Sequence, residues 1–438
     1  MELIFPRVIL LKNKGLKMDK LITQNKLMDT RRSLLKAVGI STIALMSGTV
    51  KAFSQGVDFS NSSNIPDNEL YAEVRNQLML KKGAVYLNTG TLGPAPQLVF
   101  DKFSSLLKRL EANPAIENFG PMGQEMEAVR AKVATFMGAD EEEIILTRNT
   151  TEGINIVCSG IDWKEGDEIL TTNHEHGGAE TGLDFLADTK GAVIKKMTMP
   201  YPAESKKQLL DLVKANITPN TKILLLSHIE TLTGLRWPIK EVSQLVKGQD
   251  ILFIVDGAQA PGMLHIDLHD LDCDVYACSG HKWIMGPKET GVLYLKKSIQ
   301  DKVNNVFLTG GYETYSRSTG TRNAPLIIGF GDVLDWHMAI GTKRSEKRCM
   351  ELAAYCHQKL SKVSGIKIIS SNNPELGTAI VSFSLPETTN NGDLFRTMRD
   401  QNITIKRLPQ YNAIRISNHM FTTNEDVDKM ISLLKENV

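Results

Sequence analysis

Lys282 stands in the run Val275-Tyr276-Ala277-Cys278-Ser279-Gly280-His281-Lys282-Trp283, among apolar and aromatic neighbours. An ammonium in such surroundings gives up its proton more readily than a solvated one, and the free amine forms imines with carbonyl compounds. Surface lysines are far commoner, so this residue alone decides nothing. Asp256 closes the continuous apolar run 251–255 and is followed by Gly257-Ala258-Gln259. A carboxylate at the tip of such a run must be hydrogen-bonded or charge-paired, because burying it alone is too costly. A helix cap or a structural ion pair would also meet that need.

Two more stretches have the same form, an apolar run that breaks into polar residues. Residues 144–146 lead to Thr147-Arg148-Asn149-Thr150-Thr151-Glu152-Gly153, a hydroxyl-rich turn entering a helix. Exposed backbone N–H groups at a helix start, with threonine hydroxyls beside them, suit a phosphate, although an ordinary N-cap reads the same way. After Leu170 comes Thr171-Thr172-Asn173-His174-Glu175-His176-Gly177-Gly178. His-x-His is half of a zinc site, but no third and fourth ligands follow at conventional spacing. The other use of an imidazole here is to stack on a planar ligand. Taken together, a phosphate cradle, a flat stacking partner, a buried carboxylate and an imine-forming lysine are what pyridoxal 5'-phosphate requires. The lysine holds the aldehyde, and the aspartate keeps the pyridine nitrogen protonated so that the ring accepts electrons from a substrate carbanion.

These residues must be brought to one place. Short β-branched runs at 144–146, 169–171, 193–194, 223–226 and 251–255 alternate with helical patterns such as 178–188, 205–215 and 239–248. Continuous apolar strands interleaved with helices predict an α/β fold with a mainly parallel sheet covered on both faces. Ligands of such sheets sit beyond the carboxyl ends of the strands, where all four motifs fall. Helical patterns at about 67–80, 98–111 and 122–137 precede this region. After about Asn323 two long helices (325–341 and 344–363), separated strands (367–369 and 379–384), a helix at 392–401 and a last helix from Asn424 predict a smaller α+β domain. The expected division is 67–322 for the large domain and 323–438 for the small one.

The first 66 residues differ. Arg31-Arg32 precedes a charge-free apolar run, 37–50, and Val50-Lys51-Ala52 offers small residues at the spacing a signal peptidase reads. Fourteen residues are too few to span a bilayer, so the leader 1–52 is expected to be an export signal rather than a membrane anchor. The arginine pair resembles a twin-arginine signal, read by export machinery that carries folded proteins to the periplasm or beyond. Met28 offers an alternative start. Residues 53–66, rich in Ser and Asn, read as a linker.

The formal charge is +1 in 438 residues, which gives no reason to expect a nucleic-acid partner. Five scattered cysteines without a C-x-x-C pair support neither a disulfide framework nor a cysteine metal site.

From about Tyr86 to the C-terminus the chain resembles the class V aminotransferases of fold type I, most of all the isopenicillin N epimerase-like branch, a neighbour of the cysteine desulfurases. The carrying motifs are Tyr86-Leu87-Asn88-Thr89-Gly90-Thr91-Leu92-Gly93, Thr147 to Glu152, Asp256 to Gln259, Ser279 to Trp283 and Gly320-Thr321-Arg322. The resemblance implies a seven-stranded sheet and pyridoxal phosphate as cofactor. It implies that Lys282 forms the internal imine and moves the α-proton, that Asp256 pairs with the pyridinium, that Gln259 bonds the ring oxygen and that His176 stacks on the ring. Thr150, Thr151, Ser279 and His281 would hold the phosphate. Thr309 and Gly310 of a second subunit would complete that site in a homodimer. Arg415 would grip the substrate carboxylate. The substrate would then be an amino acid or related amine, undergoing transamination or epimerisation.

Two departures stand out. No cysteine lies near Thr404 to Asn412, where desulfurases carry a mobile one, and Thr231 stands where they place an asparagine near the cofactor. A persulfide mechanism is therefore not expected. The competing readings are a C–S or other β/γ-elimination lyase, a metallohydrolase using His174 and His176, and a non-catalytic binding protein that keeps the fold.

Overall fold

The computed structural model describes Ser62, residues 64–309 and residues 317–438. The expected leader, most of the linker and Gly310 lie outside the described residues. The short strand β1 (Val85–Tyr86) comes first. The runs rich in Ile, Leu and Val then form β2 (Ile144–Thr147), β3 (Glu168–Thr172), β4 (Val193–Met197), β5 (Thr221–Ser227) and β6 (Leu252–Asp256), followed by β7 (Val275–Ser279) and β8 (Gly291–Leu295). They make one seven-stranded sheet in the order β2-β8-β7-β6-β5-β3-β4. Only β8 runs against the others. The expected α/β fold with a mostly parallel sheet is what the chain adopts.

Both faces of this sheet are buried, and successive residues show it. Leu224, Leu226, Phe253, Val255 and Tyr276 enter one apolar cluster, while Ile223, Leu225, Ile254, Val275 and Ala277 enter another. The side-chain period of two sends neighbours to opposite faces, so a strand covered on both sides must be apolar throughout. Truncating one of these, such as Leu224→Ala, would cost about 2–5 kcal/mol.

The later part of the chain supplies β9 (Lys367–Ile368), β10 (Ile380–Ser384), β11 (Ile403–Thr404), β12 (Lys406–Leu408) and β13 (Ala413–Ser417). Four of them form an antiparallel sheet, β12-β13-β10-β9. β11 instead pairs in parallel with β1, Val85 opposite Ile403. Val381, Phe383, Ile414 and Ile416 pack one face of the small sheet against the helices Thr342–Leu360 and Asn424–Lys435. The helix Ala324–Ile340 packs on the earlier helices Gln97–Ala112 and Pro121–Met137.

The first described helix is shorter than its pattern. It runs Asp67–Asn76, after Pro66, and ends at Gln77. No described helix is long and apolar enough to cross a membrane.

Candidate active site

The carboxyl ends of β2, β3, β5, β6 and β7 lie along one edge of the sheet, and each delivers a polar residue there. β2 ends at Thr147, and Asn149 caps the next helix by accepting from the Glu152 N–H at 2.9 Å. That puts Thr150 in the first turn. Its N–H donates to Ser279 Oγ at 3.1 Å, and its hydroxyl lies 2.8 Å from the same oxygen. Ser279 is the last residue of β7. The helix start and the lysine-bearing turn are thus joined by two hydroxyls, beside backbone donors oriented for an anion. A methyl group on Gly178 would meet Thr151 Oγ1 at 2.5 Å and His176 Nδ1 at 3.1 Å, which places Thr151 against the imidazole.

His176 caps the helix Gly177–Lys190, its Nδ1 accepting from the Gly178 N–H at 3.0 Å. Nδ1 is therefore the acceptor, and the proton of the neutral ring sits on Nε2. Burial lowers the pKa of His176, and the Lys282 charge lowers it further; Asp256 opposes them, while Arg415 and Lys406 add to the lowering. The lowering favours the neutral imidazole.

Asp256 ends β6, buried, with one carboxylate oxygen accepting from the Ala258 N–H at 2.9 Å. Lys282 lies close enough to feel it. Burial brings the lysine down from 10.5 to about 8; Asp256 pulls it up and Arg415 pushes it down. Its Nζ makes no hydrogen bond or ion pair among the described residues. The turn that carries it is held from below. The Gly93 N–H donates to His281 O at 2.7 Å, and a Cβ at Gly93 would lie 2.1 Å from Lys282 O, so only glycine allows this approach. Trp283 donates its indole N–H to Gln259 Oε1 at 2.8 Å, and the Gln259 amide donates to Gly90 O at 2.9 Å. The second amide hydrogen of Gln259 has only a long contact, 3.4 Å, to Thr231 Oγ1.

Arg415 rises from β13 and is 2% exposed. Nη1 donates to Thr231 O at 3.1 Å and Thr231 Oγ1 at 2.6 Å; Nη2 donates to Thr91 Oγ1 at 3.0 Å and Asn88 Oδ1 at 3.3 Å. Its Nε is buried without a partner, and no carboxylate pairs with it among the described residues. Burial lowers its pKa to about 10. A buried guanidinium held only by neutral oxygens lacks its counter-charge.

The structure thus gathers Lys282, Asp256, His176, Thr150, Thr151, Ser279, His281, Gln259 and Arg415 at one edge. Thr309 is not among them: it is exposed, and its hydroxyl donates to Asn305 O at 3.2 Å. His174 and His176 turn to different partners. His174 Nδ1 lies 2.9 Å from Glu230 Oε2, and Glu230 also accepts from Thr233 at 2.6 Å. Glu175 lies between them in sequence, fully enclosed. It accepts from the Thr172 hydroxyl at 2.7 Å and the Ser227 hydroxyl at 2.6 Å. Burial raises its pKa to about 8, so it carries a proton at neutral pH. Glu175, Glu230, Asn88 and Thr91 are site neighbours that sequence reasoning left without a role. Their one signal was position just after a strand or within the Tyr86-to-Gly93 motif.

Pyridoxal phosphate fits this donor set. His281 Nδ1 is buried without a partner, and burial with the Lys282 and Lys288 charges brings His281 to about 4. The free lysine amine, the carboxylate whose charge it feels and the anion-oriented helix start match the aldehyde, ring nitrogen and phosphate of one molecule.

The family model described as aminotransferase class-V matches residues 85–430. Isopenicillin N epimerase of Amycolatopsis lactamdurans is 27% identical over 391 residues, covering 84% of this chain and 98% of the epimerase. A cysteine desulfurase of Wigglesworthia glossinidia brevipalpis is 32% identical over 345 residues, covering 71% of this chain and 81% of its own length. Among solved structures, a C-DES mutant with glycine covalently linked to its PLP cofactor superposes with a TM-score of 0.75 at 23% identity, over 83% of this chain and 99% of that one.

Proposed function

The chain belongs to the class V aminotransferases and uses pyridoxal phosphate, and within that family we propose that it acts at the α-carbon of an amino acid or related amine, by transamination or epimerisation. The observation that carries this is the buried guanidinium of Arg415, without a carboxylate partner among the described residues and near enough to the unpaired amine of Lys282 for its charge to lower that amine's pKa. A carboxylate on the first and an amino group delivered to the second describe an α-amino acid.

The bound cofactor supplies an electron sink for the pair left when the α C–H bond breaks. Lys282 would hold the cofactor through its Nζ and, once displaced, take the proton from the substrate α-carbon and return it. A pKa near 8 suits an amine that must serve in both states near neutral pH. His176, fixed by Gly178, would press the ring from one side. Asp256 would hold the ring nitrogen. Thr150, Thr151, Ser279 and His281 would take the phosphate, with Thr309 and Gly310 of a second subunit completing it in a homodimer.

The cysteines argue against an enzyme-bound persulfide. All five are buried, and burial holds Cys158, Cys278, Cys349 and Cys356 at about 12, where thiolate is scarce. Elimination on the substrate itself needs no such cysteine and is the second reading. Export, on the strength of Arg31-Arg32 and the apolar run after them, is part of the same proposal.

The test is exchange at the α-carbon. Purified holoprotein incubated with amino acids in deuterated buffer should show loss of the α-proton by NMR. Retained configuration with a new keto acid marks transamination, racemisation marks epimerisation, and pyruvate or another β/γ-elimination product marks a lyase. A protein that binds cofactor yet exchanges no α-proton would be a binding protein only.

A further inference from the structure

We propose that the site is built for an amino acid bearing a second anionic group, and that Lys406 is the residue that reads it. This rests on the reading that Arg415 takes the α-carboxylate.

Lys406 of β12 is the register partner of Arg415 on β13. Direct partners on antiparallel strands project from the same face, with Cβ atoms about 4.5–5.5 Å apart. That face is the one turned toward the catalytic edge. Arg415 reaches Thr231 from it, and Ser382, the partner of Arg415 on β10, donates to Leu232 O at 2.6 Å. The charges of Lys406 and Arg415 both lower the pKa of the same imidazole, His176, so both lie on the His176 side of the site.

Two cations directly opposite each other on a sheet repel. Nothing among the described residues relieves this pair: neither Lys406 nor Arg415 makes an ion pair. The nearby carboxyl groups are committed elsewhere, Glu175 to Thr172 and Ser227, Glu230 to His174, Thr233 and Trp237, and Asp256 to the Ala258 N–H. One α-carboxylate balances Arg415 and leaves Lys406 over. Lys406 is exposed, within reach of an arriving ligand, while Arg415 is buried and already in place. The charge is balanced by a ligand with two anionic groups a few bonds apart, which is an acidic amino acid.

The experiment is a spectral titration of the holoenzyme with aspartate and glutamate against asparagine and glutamine, which match them in shape without the second charge. The wild type should bind each acid more tightly than its amide. Lys406→Met should cut that preference roughly twofold to fivefold, the range for an exposed charge pair, and Lys406→Arg should restore it. A preference unchanged in Lys406→Met, or amides bound better than acids by the wild type, would overturn the inference and leave the proposed function standing. A wild-type holoenzyme that responds to no amino acid at all would overturn both.

Discussion

Arg415 is bonded twice to Thr231, through the backbone carbonyl at 3.1 Å and the hydroxyl at 2.6 Å. Thr231 therefore has a definite task, aiming a guanidinium. Arg415→Met should raise KM for amino acids by about 30-fold or more, the cost of losing one member of a buried charge pair. The corresponding decarboxylated amine should lose far less. Thr231→Val should act in the same direction by roughly tenfold, as expected for one hydrogen bond to a charged group. Steady-state kinetics with acid and amine pairs checks both, and equal losses for the two substrates would remove Arg415 from the carboxylate site.

Lys282 should titrate near pH 8 in the cofactor-free protein, against 10.5 for an ordinary lysine. Its acylation rate, followed by peptide mass mapping, should rise through that pH. Because Asp256 raises this pKa, Asp256→Asn should move the midpoint lower; because Arg415 lowers it, Arg415→Met should move it higher. Lys282→Ala should abolish the yellow, borohydride-sensitive adduct with pyridoxal phosphate. A midpoint that ignores both neighbours would mean the three groups do not share one space.

Glu175 gives a stability prediction. Its folded pKa, about 8, lies above the ordinary value of 4.5, so the folded state binds a proton that the unfolded state releases. Stability from this group is whole below pH 4.5, declines by about 1.4 kcal/mol per pH unit above it, and is lost once the pH has passed 8. Glu175→Gln is neutral throughout and should gain on the wild type across pH 5–8. Urea unfolding at three pH values would show it, and parallel curves would refute it.

Export should depend on the arginine pair. A reporter fused behind residues 28–52 should reach the periplasm, and changing Arg31 and Arg32 to Lys should hold it in the cytoplasm. Export unaffected by that change would point to a different route.

The sequence by itself determined the α/β architecture, because strands buried on both faces must be apolar at every position, as at 223–226 and 251–255. It also located the candidate site: Asp256 ends such a strand, His176 and Lys282 follow two others, and the topology of parallel sheets puts those ends together. Local pattern served less well where long-range pairing decides. β1 has two residues and exists because Val85 meets Ile403, some three hundred positions later. The company of each charge was likewise invisible. Glu175 is protonated because burial, with the charges of Asp256 and Glu230, outweighs the hydrogen bonds from Ser227 and Thr172, and His174 turns its Nδ1 to Glu230. The missing counter-ion of Arg415, and Lys406 beside it, arise from strand register. Electrostatic energy depends on distance and burial, which are properties of the folded arrangement, whereas side-chain period and polarity are already written along the chain.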